Sequence, residues 1–524
     1  MALKEKFLNR SKSYIYYKNS HKSLTNENKK LQNQLSAKED EITRLKHQLQ
    51  NKQDKIHELE NHLIHNESGF IFSIIIAIFN TEKYLSEAID SILNQNFPLD
   101  KIQVILINDG STDGCEDICK QYVEKYPDNF VYQYQENQGQ SIARNNGLKI
   151  AEGKFINFLD SDDKLELNCL EEVYYHFLKF GEEIDVISIP RYLFGEANGF
   201  IYFEQKYKKN RIVDINEEYD FPQVSISASF IRKNAFSEYF DERVIISEDS
   251  LLLNSIILKK CKFGVVGSTK YLYRKRKEHN STIDTKKTRI EYFNPRMEFY
   301  FKKLIQNSIE RYGRVLKYIQ FVLMYDIQWL LKQSTEVGVL NDDDKNKFYC
   351  HIFDVLQEID DDIILSQQFN FNKFLRYHII NFKYSHPNFS ISNGQDVKML
   401  YEDNTFDILS NYKVIFSQIN RNNDSILING FFKFYPLDLK IKFYSGNKLL
   451  NIHIDKQYED FSVGDYALLR LNFDIEILLK DLNEIKCEIE LDSVKFSPKF
   501  DLSKVVSNVD FNYKNEDCLL ININ

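Results

Sequence analysis

The sequence contains few of the residues that interrupt regular structure. Its 524 residues include only 17 Gly and 8 Pro, which excludes collagen-like repeats and chains built mostly of linker. Hydrophobic residues make up 43% and charged residues 28%, an ordinary balance for a folded protein. At roughly 150 residues per domain, this length predicts three or four folded units.

Cysteine is also scarce. The seven cysteines stand at positions 115, 119, 169, 261, 350, 487 and 518, and no two of them form a Cys-x-x-Cys pair. An odd number without that spacing argues against both a disulfide framework and a zinc ribbon. We therefore expect a reducing, cytoplasmic location.

An excess of positive charge and long apolar runs are both missing. Lys and Arg total 68 against 77 Asp and Glu, a net charge of −9, which argues against general electrostatic capture of nucleic acid. The most apolar run, residues 70–79, is about half of the roughly 20 residues that a membrane-spanning helix needs. Residues 1–20 lack the sustained apolar core of a signal peptide, so secretion by that route is not expected.

Residues 24–63 repeat apolar side chains at heptad spacing. One seam position holds Asn28, Leu35, Ile42, Leu49, Ile56 and Leu63, and the other holds Leu24, Leu31, Lys38, Leu45, Lys52 and Leu59. This pattern predicts a coiled coil between Leu24 and Leu63, within an N-terminal unit of residues 1–66 that begins with a basic helix, and with it a homo-oligomer. A single amphipathic helix packed on its own domain is the alternative.

The first 30 residues are basic, with eight Lys or Arg against two Glu. This charge favours peripheral association with an anionic membrane surface, here the inner face of the plasma membrane. A solvated helix end explains the charge equally well.

From residue 72 to residue 163, apolar strands alternate with amphipathic helices. The predicted strands are 73–79, 103–107, 130–135 and 155–159, and the predicted helices are 81–94, 113–125 and 141–151. Such alternation predicts a parallel α/β sheet, with ligands at the carboxyl ends of its strands.

The remainder changes pattern twice. Residues 286–385 have aromatic-rich helical stripes and are predicted to form a helical connector whose stripes are core. Residues 390–524 alternate apolar and polar side chains with a period of two, as at Leu439, Ile441 and Phe443. This period predicts a separate antiparallel β domain, which we expect to be a sandwich.

Acidic residues follow the strand predicted at 155–159. Asp160, Asp162 and Asp163 lie within four positions, and carboxylates this close repel one another unless a cation joins them or their pKa rises. A divalent ion completed by diphosphate oxygens is one solution. A helix cap made by Asp and Ser is the other.

Polar residues also follow the neighbouring strands. Asn80 ends the first strand, Asp109 ends the second, and a glycine turn at residues 137–140 precedes Arg144. An arginine one turn into a helix can pair with a ligand phosphate or with Asp160, or it can remain an exposed cation.

Four ordered motifs carry a resemblance to a known family. They are residues 73–80 (SIIIAIFN), 107–113 (INDGSTD), 137–145 (NQGQSIARN) and 158–163 (FLDSDD). With them, the segment from Phe72 to Lys164 resembles the nucleotide-sugar-binding half of the inverting family 2 glycosyltransferases, which have the GT-A fold. Ala77 and Phe79 stand where that family usually has Pro and Tyr, so the edge that meets the nucleotide base is expected to differ.

The resemblance implies a fold and roles for individual residues. It implies a GT-A domain over residues 70–285 and, at the acid pair Glu248-Asp249, Asp249 as the general base. It implies Mg²⁺ or Mn²⁺ bound by Asp162, Asp160 and His279. The implied donor-binding residues are Ala77, Phe79, Asn80, Asp109, Asn137, Arg144, Asp160, Ser161, Arg274, Arg276 and Ser281. Among these, Asp109 would contact the base, and Arg274 and Arg276 belong to a basic segment that is otherwise a solvated loop.

The whole arrangement resembles enzymes that build or decorate bacterial surface polymers such as wall teichoic acids or capsules. The expected partners are a nucleotide diphosphate sugar, most often UDP-linked, and a glycan or glycopolymer acceptor. A nucleotidyltransferase is a weaker alternative, because no Gly-rich phosphate loop with a Lys follows the first strand. A non-catalytic coiled-coil scaffold with a degenerate transferase domain is the third.

Overall fold

A computed structural model describes residues 2–201, 203–276, 290–331, 339–366, 373–384, 387, 389–394, 396–435, 437–459, 468–503, 505–508, 510–515 and 517–522. The chain divides into two compact units, residues 1–71 and 72–524. Each unit is described by itself below.

The first unit is dominated by one helix, α1, which spans Ala2–Asn66. Neither Gly nor Pro occurs within these bounds, so nothing interrupts the backbone hydrogen-bond ladder. The Leu and Ile side chains of the predicted seam between residues 24 and 49 are exposed by 50% to 61%. Coiled-coil pairing through this stripe stays a prediction. No helix among the described residues combines the length and the apolarity that crossing a membrane requires.

The second unit opens with an eight-stranded sheet of order β3-β2-β1-β4-β10-β6-β11-β9. Its strands are β1 (Phe72–Ile78), β2 (Ile102–Asp109), β3 (Phe130–Gln135), β4 (Phe155–Phe158), β6 (Val186–Ser188), β9 (Arg211–Asp214), β10 (Ser229–Arg232) and β11 (Lys262–Val265). Its helices are α2 (Glu82–Leu93), α3 (Cys115–Lys125), α4 (Gln140–Ile150), α5 (Cys169–Phe180) and α6 (Glu248–Lys260).

The first half of this sheet confirms the prediction of parallel strands. Strand β1 pairs in parallel with β2 and with β4, and β2 pairs in parallel with β3. The second half is mixed, because β10 runs antiparallel to β4 and to β6. Strands β4 and β6 therefore point the same way and end at the same edge of the sheet.

The chain also forms a second, smaller sheet, whose first strand follows β4. It has the order β5-β12-β7-β8 and consists of β5 (Lys164–Leu165), β7 (Arg191–Gly195), β8 (Gly199–Phe200) and β12 (Tyr271–Lys275). Pairing of β12 with β5 places Tyr271 opposite Leu165. The basic segment at 274–276 is thereby held beside the acids that follow β4.

Helices follow the sheet. They are α7 (Asn294–Arg296), a π-helical turn (Met297–Phe301), α8 (Lys302–Tyr312), α9 (Lys317–Leu331), α10 (Asp342–Gln357), α11 (Asp361–Ile364) and α12 (Lys373–Lys383). Their predicted aromatic stripes are core, since Ile319, Phe321 and Val322 are fully buried. Buried side chains of the sheet, of α6 and of these helices form a single hydrophobic cluster. The predicted boundary at residue 285 lies outside the described residues, and the described elements before and after it contribute to one hydrophobic core.

The last part of the chain is rich in β-strands. A three-stranded sheet contains β13 (Phe389–Asn393), β14 (Val397–Tyr401) and β15 (Asn404–Ile408). The next sheet contains β16 (Lys413–Arg421), β17 (Ser425–Phe434), β20 (Ile452–Glu459), β21 (Leu468–Leu478), β24 (Lys499–Asp501) and β25 (Val506–Ser507). The last contains β18 (Leu439–Ser445), β19 (Lys448–Leu449), β22 (Ile485–Leu491), β23 (Val494–Phe496), β26 (Asp510–Asn515) and β27 (Cys518–Asn522). Alternate residues of β17, β18, β21 and β22 share one hydrophobic cluster, as the period of two predicts.

Candidate active site

The carboxyl ends of β1 and β2 are tied together by short polar side chains. Asn80 has a left-handed backbone with φ of 51°, and its Oδ1 accepts a hydrogen bond from the Thr112 backbone N–H at 2.8 Å. The Asn80 backbone N–H donates to the Ser111 hydroxyl at 3.1 Å. Gly110, with φ of 74°, lets Asn137 approach, because an added Cβ would lie 2.8 Å from the Asn137 nitrogen. The first three motifs therefore meet at one edge.

Asp109 fixes the glycine turn that opens α4. Its Oδ1 accepts hydrogen bonds from Gln135 Nε2 at 2.8 Å and from the Gln138 N–H at 2.9 Å. Its Oδ2 accepts from the Gly139 N–H at 3.0 Å. The carboxylate is 4% exposed, so it is a structural anchor of this turn in the structure. Its predicted contact with a nucleotide base stays a prediction.

Arg144 joins acids from two distant parts of the chain. The guanidinium Nη2 lies 2.9 Å from Asp160 Oδ1, while Nη1 lies 2.6 Å from Asp249 Oδ1 and 3.3 Å from Glu248 Oε1. The Arg144 side chain is 3% exposed. The pairing with Asp160 that the sequence allowed is confirmed, and the same cation also reaches the acid pair at the start of α6.

The neighbouring Asn145 fixes the backbone of Phe240, whose ring forms a wall of this site. Its Nδ2 donates to the Phe240 carbonyl at 3.0 Å, and its Oδ1 accepts from the Phe240 N–H at 2.8 Å. The Phe240 ring in turn lies 5.5 Å from the Arg144 guanidinium carbon. Sequence reasoning assigned no role to Asn145, although it ends the third motif.

The pKa values of Arg144 and of the acids around it are shifted by burial and by one another's charges. Burial raises the pKa of Glu248 to about 8, with the charge of Asp249 adding to the rise and Arg144 opposing it. Burial also raises the pKa of Asp249, again against the attraction of Arg144. Burial disfavours the charged guanidinium, but the three carboxylates outweigh it and raise the pKa of Arg144. Near neutral pH Glu248 is therefore mostly protonated, while the same guanidinium also contacts Asp160 and Asp249.

The acids after β4 have separate partners. Asp162 Oδ2 lies 2.5 Å from Arg276 Nη2 and accepts from Arg276 Nε at 2.8 Å. Asp163 Oδ1 accepts from the Arg274 N–H at 2.7 Å, and its Oδ2 accepts from the Tyr271 hydroxyl at 2.8 Å. Burial raises the pKa of Asp163 well above its usual range, and the charges of Asp162 and Asp160 add to this.

Arg274 links this acidic turn to α2. Its Nη2 lies 2.9 Å from Glu87 Oε2, and its Nε donates to the Asp162 carbonyl at 2.7 Å. The guanidinium also lies over the rings of Tyr84 and Phe194. The structure therefore brings Arg274 and Arg276 to the predicted site. Neither Glu87 nor Tyr84 was singled out from the sequence, because both lie on an ordinary amphipathic helix.

Asp160 and Asp162 are suited to supply part of the ligand shell of a divalent cation. Among the described residues, no three His, Cys, Asp or Glu side chains are grouped to hold a metal by themselves. Asp160 Oδ2 and Asp162 Oδ1 accept no hydrogen bond from a described residue. Mg²⁺ ordinarily uses one or two carboxylates and completes its shell with water and substrate phosphates. Burial and the charge of Asp160 raise the pKa of Asp162 despite Arg276, a strain that a cation would relieve.

The other predicted site residues fall into three groups. Ser161 accepts a hydrogen bond from the Thr81 hydroxyl at 3.0 Å, and Ala77 lies in β1, so both belong to the framework. Phe79 is 48% exposed at the site edge. His279 and Ser281 lie outside the described residues.

A cleft opens beside the acid pair. The backbone N–H of Ile226 lies 3.4 Å from Asp249 Oδ2, and the residues just before Ile226 form one cleft wall. The cleft has a volume of about 30 Å³, and its polar lining residues are Ser188, Arg191, Tyr207, Gln223, Ser225 and Tyr325. Arg191 forms no ion pair within the described part of the chain, so its charge faces the cleft without a fixed anion.

Comparison with known proteins yields consistent similarities. Residues 73–240 match the family model described as Glycosyl transferase family 2. The minor teichoic acid biosynthesis protein GgaB of Bacillus subtilis (strain 168) is 35% identical over 425 residues, which cover 79% of this chain and 47% of GgaB. The chain thus spans about half the length of that relative. GgaA of the same strain is 34% identical over 325 residues, which cover 59% of this chain and 72% of GgaA. The crystal structure of S. aureus TarS aligns with a TM-score of 0.47 at 17% identity, over 86% of this chain and 85% of that chain.

Proposed function

The chain belongs to glycosyltransferase family 2, and on that premise we propose that it transfers a sugar from a UDP-sugar, with inversion, to a hydroxyl of a teichoic-acid-type polymer. The observation that carries the proposal is the position of Arg144. This residue joins Asp160, on the side where a donor diphosphate would lie, to Asp249, on the side where an acceptor would enter.

Asp249 is the proposed general base. The acceptor oxygen forms a bond to the anomeric carbon as the bond from that carbon to the diphosphate oxygen breaks, and the acceptor proton passes to Asp249. The electron pair of the breaking bond leaves with the diphosphate. Arg144, 2.6 Å from Asp249 Oδ1, opposes the rise in pKa that burial gives Asp249 and so favours the ionised form that accepts the proton.

The departing diphosphate needs positive charge. Arg276 and Arg274 lie beside Asp162, where they would oppose the negative charge that develops on the leaving group. Asp162 and Asp160 would hold Mg²⁺ or Mn²⁺, which, when bound, neutralises diphosphate oxygens.

The proposed acceptor is a polymer that carries phosphate. GgaB and GgaA are both named as minor teichoic acid biosynthesis proteins, and the cleft beside Asp249 is lined by Arg191. An arginine without a fixed anion is suited to a phosphodiester oxygen. We assign the cleft to the acceptor segment next to the reacting hydroxyl.

The first unit is proposed to assemble the enzyme. Six exposed Leu and Ile side chains lie along α1 at heptad spacing, and a second copy of the helix would bury them. Linking several catalytic units would raise the effective concentration of a repetitive acceptor. The basic start of α1 would hold the assembly at the inner face of an anionic membrane.

Product analysis tests the proposal. Purified protein is incubated with a panel of UDP-sugars, MnCl₂ and a teichoic acid polymer, and free UDP and labelled polymer are measured. We expect UDP release that depends on the polymer, and loss of both signals in Asp249→Asn. Pyrophosphate as the product would indicate nucleotidyl transfer instead. Absence of nucleotide-sugar binding by calorimetry would indicate a non-catalytic scaffold.

A further inference from the structure

The acid pair at the start of α6 follows a residue in an unusual conformation. Ser247 has φ of 75° and ψ of 18°, a left-handed backbone that only Gly adopts readily. No side chain caps the first turn of α6. The direction in which Glu248 and Asp249 leave the preceding loop therefore depends on whatever holds Ser247.

Arg296 holds the hydroxyl of Ser247. Its Nε donates to Ser247 Oγ at 3.0 Å, and its Nη2 donates to the same oxygen at 2.7 Å. Nη2 also lies 3.0 Å from Asp326 Oδ1 in α9, and the Arg296 side chain is 3% exposed. The guanidinium lies within 5.7 Å of the rings of Tyr292, Tyr300 and Phe301, which fixes its plane.

Asp326 makes a second connection to the same turn of α6. Its Oδ2 accepts from the Tyr300 hydroxyl at 2.5 Å, and Tyr300 is 2.9 Å from the Ser250 hydroxyl. The network therefore forms hydrogen bonds with the start of α6 at residues 247 and 250, on either side of the acid pair. Tyr300 belongs to the π-helical turn that begins directly after Arg296, and such turns are frequent at functional sites.

Packing alone does not account for this arrangement. A buried Arg–Asp pair loses the hydration of both ions, and apolar side chains of similar volume often replace such a pair without loss of stability. At Ser247, by contrast, two guanidinium nitrogens donate to one hydroxyl of a residue with a left-handed backbone. A network that ends on the hydroxyls of Ser247 and Ser250 is suited to fixing the geometry of the first turn of α6.

We propose that Arg296, oriented by Asp326, is a positioning residue that holds Ser247 in its left-handed conformation and so aims Asp249 at the acceptor. This inference rests on the proposed function of Asp249 as the base. It assigns part of the active-site geometry to the helices after residue 290, outside the motif-bearing segment.

The test compares Ser247→Ala with Ser247→Gly. Alanine removes the hydroxyl but keeps the Cβ that disfavours the left-handed backbone, whereas glycine adopts that backbone without help. Ser247→Ala should lower kcat by about tenfold to a hundredfold, with KM for the UDP-sugar within about twofold of wild type. Ser247→Gly should keep kcat within about threefold of wild type.

A double variant separates positioning from stability. Arg296→Lys should lower kcat as Ser247→Ala does, and Ser247→Gly added to it should restore most of the loss. Arg232→Lys is the control, since Arg232 is partly buried, with 16% of its side chain exposed, but donates to the carbonyls of Ile184 and Gly181. It should leave kcat unchanged.

Two outcomes would overturn the inference. One is equal kcat for Ser247→Ala and Ser247→Gly, and the other is no recovery of Arg296→Lys by Ser247→Gly while thermal stability stays at the wild-type level. A failure of the proposed function looks different, because Asp249→Asn would then release UDP at the wild-type rate.

Discussion

Nη1 of Arg144 lies 2.6 Å from Oδ1 of Asp249, a residue 105 positions further along the chain. The same guanidinium is 2.9 Å from Asp160. A fourth group, Glu248, is 3.3 Å away, so three acids converge on one buried cation. The predictions below begin from this ion network.

Replacing Arg144 with Met should damage both stability and catalysis. Removing one partner of a buried ion pair typically costs about 3–5 kcal/mol, because the other charge is left without compensation. Thermal denaturation should report this loss, and UDP release should fall by at least about a hundredfold because Asp249 would no longer stay ionised. Arg144→Lys keeps the charge but cannot bridge three acids, so its fold should be more stable than that of Arg144→Met while its activity remains low. Equal stability of the two variants would contradict the ion-network account.

Stability should depend on pH through Glu248. The pKa of this group is raised from 4.5 to about 8 in the folded protein, so the folded state holds a proton that the unfolded chain releases. Its stabilising contribution is full below pH 4.5 and is lost as pH rises through 8. Glu248→Gln should therefore show a smaller fall in denaturation midpoint between pH 5 and pH 8 than wild type. Identical slopes for the two proteins would mean that Glu248 is ionised throughout.

Asp162 and Asp163 should respond differently to replacement by Asn. Asp162→Asn should weaken binding of Mn²⁺ in the presence of UDP, as measured by calorimetry, and leave the fold intact. Asp163→Asn should instead lower stability by about 1–3 kcal/mol, because both Asp163 oxygens accept hydrogen bonds, from Arg274 and Tyr271. Wild-type metal binding by Asp162→Asn would remove Asp162 from the ligand shell.

Charge reversal at Arg191 should affect the acceptor and spare the donor. Arg191→Glu places a negative charge in the cleft where we place a polymer phosphate, so KM for the polymer should rise about tenfold or more. Calorimetric affinity for UDP should stay within about twofold of wild type. A rise of the same size with an uncharged glycan acceptor would show that phosphate is not what Arg191 meets.

The seam of α1 should control the molecular mass. Leu35→Asp puts a charge into the proposed helix interface, whereas Asn33→Asp changes the outermost position of the preceding heptad. Light scattering should give an oligomer for wild type and for Asn33→Asp, and a monomer for Leu35→Asp and for protein lacking residues 1–66. An unchanged mass on removal of residues 1–66 would exclude assembly through this helix.

Much of the catalytic edge could be predicted from the sequence, because each element there carries its own local signal. Strands β1, β2 and β4 are mostly apolar and buried, and polar residues come at or just after their carboxyl ends, so the position of Asn80, Asp109 and Asp160 at one edge follows from parallel topology. The pairing of Arg144 with Asp160 could be predicted for the same reason. The second half of the sheet carries less signal, because β6 and β10 are three and four residues long, too short to show a period.

Contacts between distant segments could not be predicted. Arg296 and Ser247 are 49 positions apart, and neither stands in a motif or a recognisable spacing. Asp109 illustrates a second limit, since the sequence marks it as a strand-end acid but gives no sign that two N–H groups of the glycine turn and the Gln135 side chain occupy its carboxylate. The local sequence pattern predicts where such residues lie in the fold, but it does not show which residues they contact.

The single hydrophobic cluster shared by the sheet, α6 and the helices after residue 290 limits how the protein can be divided. A fragment that ends at residue 285 would keep every family motif yet expose the apolar faces that Ile319, Phe321 and Val322 now cover, and it should aggregate when expressed. A fragment of residues 70–384 retains that cover. Exchange of catalytic domains between relatives should likewise give folded protein only when these helices are exchanged together with the motif-bearing segment.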